Sequence, residues 1–91
     1  MSQNSDTTTV QTEVCLPAHL HARPAGRLVR VAAGYAAAVD IEFGDKSASA
    51  RSILALLALG ATAGETVVVR AIGADADNAV SAVVDVLATT E

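Results

Sequence analysis

The chain is short of cysteine, aromatic side chains and positive charge, and each shortage closes off a class of function. Its single cysteine, Cys15, permits no intrachain disulfide and no thiolate-built zinc cage. One tyrosine, Tyr35, one phenylalanine, Phe43, and no tryptophan leave no stacking platform for single-stranded nucleic acid. With 6 Lys and Arg against 10 Asp and Glu, the net charge of −4 opposes a broad phosphate-backbone footprint. Nucleic acid is not an expected partner, and no metal or cofactor is expected either. The longest run of strong hydrophobes, residues 53–59, falls far below the ~20 residues of a membrane helix. Residues 1–11 hold neither Lys nor Arg nor an apolar run, so no secretory signal is expected. The chain is expected to be cytoplasmic, with no membrane contact.

What is present fits one small domain. A length of 91 residues supports a single core that buries roughly 60–65% of the unfolded surface. Residues 1–9 are polar and Ser/Thr-rich, an expected flexible lead to a domain over 10–91. Val10, Thr12, Val14 and Leu16 alternate with Gln11, Glu13 and Cys15, which predicts a half-buried strand stopped by Pro17. After His21, Pro24, Leu28, Val31, Ala32 and Tyr35 recur at helical spacing, with Gly34 as the expected terminator. Val39, Ile41 and Phe43 alternate with Asp40 and Glu42 to give a second strand. Gly44-Asp45 suits a two-residue turn with glycine first, so residues 46–50 should pair back.

Ser52 opens a short helix over 53–59, closed by Gly60. Residues 66–72 are a Val-rich strand between Gly64 and Gly73. The last helix runs from 75 to about 87. It carries Ala76, Ala79, Val80, Val83 and Leu87 on one stripe, with Asn78, Ser81 and Asp85 opposite. Asp75 is its candidate N-cap. The order is β-α-β-β-α-β-α. Because each strand offers one apolar face, the expected class is α+β: an open-faced β-sandwich, a four-stranded antiparallel sheet with three helices on one face.

Chemistry concentrates in His21-Ala22-Arg23-Pro24. A histidine just before a helix, with proline in the first turn, sits where backbone N–H groups lack intrahelical partners. Such a place attracts anions, phosphate above all. Histidine adds a nucleophilic nitrogen that titrates near neutral pH, and Arg23 brings a guanidinium fork. On four residues alone, a plain exposed histidine is the stronger reading. The surroundings shift that balance. Arg23, Arg27 and Arg30 are spaced i, i+4 and i+7, half of the basic residues along one stripe. Like charges at that spacing repel, which a solvated face does not justify and a docking surface for an acidic partner does. The helix over 53–59 is apolar on all sides. Leu56 and Leu59 are expected inward, and Ile53, Leu54 and Leu57 partly exposed as a patch for partners.

With these residues in place, the sequence resembles the histidine-containing phosphocarrier family HPr of the bacterial phosphoenolpyruvate-dependent sugar phosphotransferase system. The family signature Gly-aliphatic-His-small-Arg-Pro-small-small is met by Leu20, His21, Ala22, Arg23, Pro24 and Ala25. A second signature is met by Arg51, Ser52, Ile53, Leu54, Leu56, Leu59 and Gly60. The resemblance implies a carrier and not an enzyme. His21 would take a phosphoryl group on Nδ1 from phosphorylated enzyme I and pass it to enzyme IIA domains. Arg23 would lie beside the phosphate, and Pro24 would fix the turn. Ser52 becomes a candidate for regulatory phosphorylation, which requires a dedicated HPr kinase. A monomer is the simplest form for a relay that docks face to face.

Three positions depart from the family pattern: His19 stands for glycine, Gly26 for a small residue with a Cβ, and Ala18 for a residue that is often polar. His19 is expected to be an exposed loop residue and not a second acceptor. Three other readings remain open: a carrier serving a dihydroxyacetone kinase system, a regulatory relative that binds without relaying phosphate, and a plain binding module. The sugar served is a property of the permeases and is not written in this chain.

Overall fold

Alternation along the strands decides where the helices pack. The computed structural model describes residues 8–90. In β1 (Thr9–Cys15), β2 (Ala38–Phe43), β3 (Lys46–Ser49) and β4 (Thr66–Ile72), the inward positions include Val14, Val39, Ile41, Ala48, Val67, Val69 and Ala71. All seven are buried. The positions between them, among them Gln11, Glu13, Asp40 and Arg70, face away, and Arg70 pairs with Glu42 at 3.8 Å. The sheet order is β1-β4-β2-β3, with every pairing antiparallel. Val-rich β4 therefore lies between β1 and β2, where its β-branched side chains have neighbours on both sides.

Helices α1 (Ala22–Ala32), α2 (Ile53–Ala58) and α3 (Ala76–Ala88) cover the apolar face. They contribute Leu28 and Ala32, Leu56, and Val80, Val83 and Leu87 to the core. The expected stripe of α3 is buried throughout, and Asn78, Ser81 and Asp85 are exposed. This is the open four-stranded sandwich that the element order requires. The Gly44-Asp45 turn pairs Phe43 with Lys46, and Gly44 takes φ 63 while Asp45 stays outside the left-handed region. That combination matches a turn with glycine first.

Four details differ from expectation. The first strand starts at Thr9, and the Thr8 carbonyl accepts from the Gly73 N–H at 2.8 Å. The rest of the expected lead, residues 1–7, lies outside the described residues. The third strand ends at Ser49, although the Ala50 N–H still donates to the Val39 carbonyl at 2.8 Å.

Gly34 is not a left-handed terminator. Helix α1 closes through Gly34 N–H to Val31 O and Tyr35 N–H to Ala32 O, while the Arg51 guanidinium donates to the Ala32 and Tyr35 carbonyls. Gly60, by contrast, has φ 70 and ends α2 as expected.

Asp75 occupies the N-cap position of α3 without capping it. Its carboxylate accepts instead from the Ala36 N–H at 2.9 Å and the Ala37 N–H at 2.8 Å. Those two bonds hold the carboxyl below its ordinary pKa. They also bring the α1–β2 connection so close that a Cβ on Gly73 would lie 2.7 Å from the Ala37 Cα. Only glycine fits that approach.

Candidate functional site

The loop between β1 and α1 is tied down at both ends before it delivers His21. Leu16 N–H donates to Glu65 O at 2.9 Å, Gly64 N–H to Leu16 O at 2.8 Å, and Leu20 N–H to Ala61 O at 3.0 Å. The side chains of Leu16 and Leu20 are buried as anchors. The chain then turns sharply, with the His21 N–H donating to the His19 carbonyl at 3.1 Å. His21 is extended, at φ −96 and ψ −169, and forms the N-cap of α1.

Its side chain does the capping. The Arg23 N–H donates to His21 Nδ1 at 3.4 Å, and the His21 carbonyl takes the Ala25 N–H at 3.1 Å. An acceptor at Nδ1 assigns the neutral ring's proton to Nε2, so the lone pair at Nδ1 points to the helix N-terminus. The bond is long, and a group arriving at Nδ1 displaces little. Pro24 sits in the first turn, where its missing N–H removes no helix bond, and its ring is buried. The half-buried His21 therefore combines a nucleophilic nitrogen, first-turn N–H groups and the positive end of an eleven-residue helix.

The arginines divide. Arg23, Pro24 and Arg27 line a cleft of about 240 Å³ together with Thr89 and Thr90 from the end of α3. Arg30 lies outside that cleft, in the last turn of α1, where its charge complements the helix dipole. All three guanidinium-bearing residues are exposed. Thr89 and Thr90 carried no sequence signal for this role. Their hydroxyls donate back to the Asp85 and Val86 carbonyls at 2.7 and 2.8 Å, within the end of α3 itself.

On α2, Ser52 Oγ accepts from the Ala55 N–H at 3.2 Å as the N-cap. Leu56 and Leu59 are inward, and Ile53, Leu54 and Leu57 are 41%, 81% and 36% exposed. Helices α1 and α2 pack on each other, so the arginine-bearing and apolar surfaces belong to neighbouring elements. Ala18 is half-buried, and a Cβ on Gly26 would meet nothing within 4 Å, so neither departure disturbs the packing of the site.

His19 has a ring neighbour that the sequence reading did not name. It is exposed, as expected, but its ring lies against that of His21, with centroids 4.8 Å apart and planes at 53°. A signal existed. Leu20 is apolar and points inward, which sends the histidines on either side of it to the same outer side. Among the described residues no helix is long and apolar enough to cross a membrane, and no cluster of three or more His, Cys, Asp or Glu could hold a metal ion.

Comparison with known proteins agrees with this geometry. A family model described as the PTS HPr component phosphorylation site matches residues 8–89. A multiphosphoryl transfer protein of Xanthomonas campestris pv. campestris is 43% identical over 63 residues, 69% of this chain. The chain spans only 8% of the length of that relative. Among solved structures, the phosphocarrier protein HPr from Bacillus anthracis superposes with a TM-score of 0.81 at 30% identity, over 87% of this chain and 96% of that one. The histidine-containing phosphocarrier protein of Mycoplasma superposes with a TM-score of 0.80 at 26% identity, over 85% and 90%.

Proposed function

The chain belongs to the HPr family of phosphotransferase-system phosphocarriers, and from that premise we propose that His21 is its phosphoryl acceptor. The reading runs as a relay. Phosphorylated enzyme I presents a phosphohistidine, and the Nδ1 lone pair of His21 attacks its phosphorus. The donor N–P bond breaks as the new one forms, and the departing imidazole keeps the electron pair. Enzyme IIA domains then take the group by the same exchange, feeding phosphoenolpyruvate-dependent sugar uptake. Little covalent chemistry is asked of the carrier, so positioning and electrostatics decide the rate.

One observation carries this reading: Nδ1 of His21 already accepts an N–H of the first turn of α1. A phosphoryl group there meets the helix dipole and has Arg23 for its oxygens. Arg27 and Arg30 form the charged part of the docking surface, and Ile53, Leu54 and Leu57 its apolar part. Ser52, beside that patch, is the regulatory position. The carrier unit begins with β1, at Thr9, and works as a cytoplasmic monomer.

The test is intact-mass measurement after incubation with phosphoenolpyruvate and enzyme I. One added phosphate, labile in acid and stable in base, is expected on the parent and none on His21→Ala. Uptake by His21→Ala would remove the assignment.

A further inference from the structure

The two histidines of the loop suggest a division of labour. Resting on the reading of His21 as acceptor, we propose that His19 is a positioning residue whose protonated imidazole holds the phosphoryl group carried on His21. The contribution of His19 to loading then grows as pH falls.

The geometry begins with the turn. The His21 N–H to His19 carbonyl bond and the buried Leu20 fix both rings on the same outer side, 4.8 Å apart. The 53° tilt leaves the rings inclined and not stacked flat, so the exposed His19 ring can turn its N–H outward. A phosphoryl group on Nδ1 of His21 adds three acceptor oxygens beside this ring. Arg23 approaches those oxygens from the helix side, and His19 from the loop side. The phosphate is thereby flanked by two donors instead of one.

The charges around His19 support the sign. Arg23 and Arg27 are exposed on α1, the helix that His21 caps, and α2 brings no charged side chain. The end of α3 presents the hydroxyls of Thr89 and Thr90. The segment after α2, to which the loop is bonded, carries Glu65, whose carboxylate is taken up by the Thr62 N–H and Oγ1 at 2.8 Å each. In the unloaded carrier, a proton on His19 has no phosphoryl charge beside it. In the loaded carrier, it meets a phosphoryl group of about two negative charges, which favours it. At His19 the loaded form therefore binds more protons than the unloaded one, and by linkage the His19 contribution to loading grows in acid.

The transfer step is unchanged by this assignment. The phosphoryl group passes from the donor histidine of enzyme I to Nδ1 of His21, and His19 forms no bond to phosphorus. It stabilises the product through one hydrogen bond and one charge.

The experiment equilibrates the parent, His19→Gln and His19→Lys with enzyme I at a fixed phosphoenolpyruvate-to-pyruvate ratio. The loaded-to-unloaded ratio is read across about pH 5.5 to 8.5, the range in which histidine changes charge. Taking the ratio of parent to variant cancels the pH dependence of enzyme I itself. The expected ratio of parent to His19→Gln is near one at the alkaline end and rises to roughly two- to fivefold at the acid end, the scale of an exposed ion pair. His19→Lys, charged throughout, should keep the acid-end advantage at every pH. A ratio independent of pH, a His19→Lys variant that follows His19→Gln, or phosphate mapped to His19 would overturn the proposal while leaving the carrier reading in place. A parent that takes no phosphate on His21 removes both.

Discussion

Two side chains of opposite charge, Arg51 and Asp75, join segments far apart in the sequence, and Asp75 does not act as the cap its local motif implies. Arg51 reaches back 16 residues to the Tyr35 carbonyl and also donates to Ala32 O. Asp75 accepts from Ala36 and Ala37, 39 and 38 residues earlier. Together they clamp the connection from α1 to β2. The Asp75 carboxyl is held below the ordinary carboxylate pKa because both backbone bonds favour the charged form. The folded pKa is depressed, so the stabilisation is present above the unfolded value and is lost as pH falls through the folded one. Asp75→Asn should melt below the parent near neutral pH. The gap between the two should close as acid protonates Asp75, and urea unfolding of both proteins at several acidic pH values checks it. A gap that stays constant to the lowest pH would mean the charge contributes nothing.

Among the elements, α2 is the one whose fate depends on a single polar atom. Six apolar residues cannot hold a helix by propensity alone, and Ser52 Oγ supplies the cap while Leu56 supplies the anchor. Ser52→Ala should cost about 1 kcal/mol, typical for a lost cap, and leave phosphoryl transfer nearly normal. Ser52→Asp keeps a capping oxygen and adds negative charge at the positive helix end, so its melting temperature should equal or exceed the parent's. The same charge sits beside Ile53, Leu54 and Leu57 and should slow transfer from enzyme I. Thermal unfolding and transfer rate, measured on both variants, check the pair. Equal transfer rates for Ser52→Asp and the parent would reduce Ser52 to a cap.

The elements are also where the sequence was most legible. Period-two alternation located β1 and β2, the Gly44-Asp45 turn located β3 and set its register, and β4 was read as a Val-rich run between glycines. The inward choice of Leu56 and Leu59 follows from their spacing on α2. Helix and strand patterns are local, so they survive without knowledge of what packs on them. What stayed hidden was the work done across distance. Asp75 reads as a cap because caps are defined within a few residues, whereas its partners come from another segment. Gly34 reads as a terminator by type, but the guanidinium of Arg51 takes the carbonyls that a left-handed glycine would otherwise help to satisfy. The cleft shared by Arg23, Arg27, Thr89 and Thr90 needs the two ends of α1 and α3 side by side, which only the packed fold provides.

Taken as one body, the molecule is an acidic domain with a basic edge, a net charge of −4 around the exposed Arg23, Arg27 and Arg30. Such an arrangement orients an encounter more than it strengthens a complex. Arg27→Glu with Arg30→Glu should lower the association rate with enzyme I, and the loss should shrink as ionic strength rises. Stopped-flow association at low and high salt checks this. A salt-independent loss would assign the arginines another role. The relay itself rests on one nitrogen, and it is tested most directly by isotope-edited NMR. The carrier, labelled with 15N in its histidines, is loaded by enzyme I and phosphoenolpyruvate, and the 31P–15N coupling is read. The expected result is a single coupling to Nδ1 of His21. A coupling to Nε2 of His21, or to either nitrogen of His19, would contradict the account.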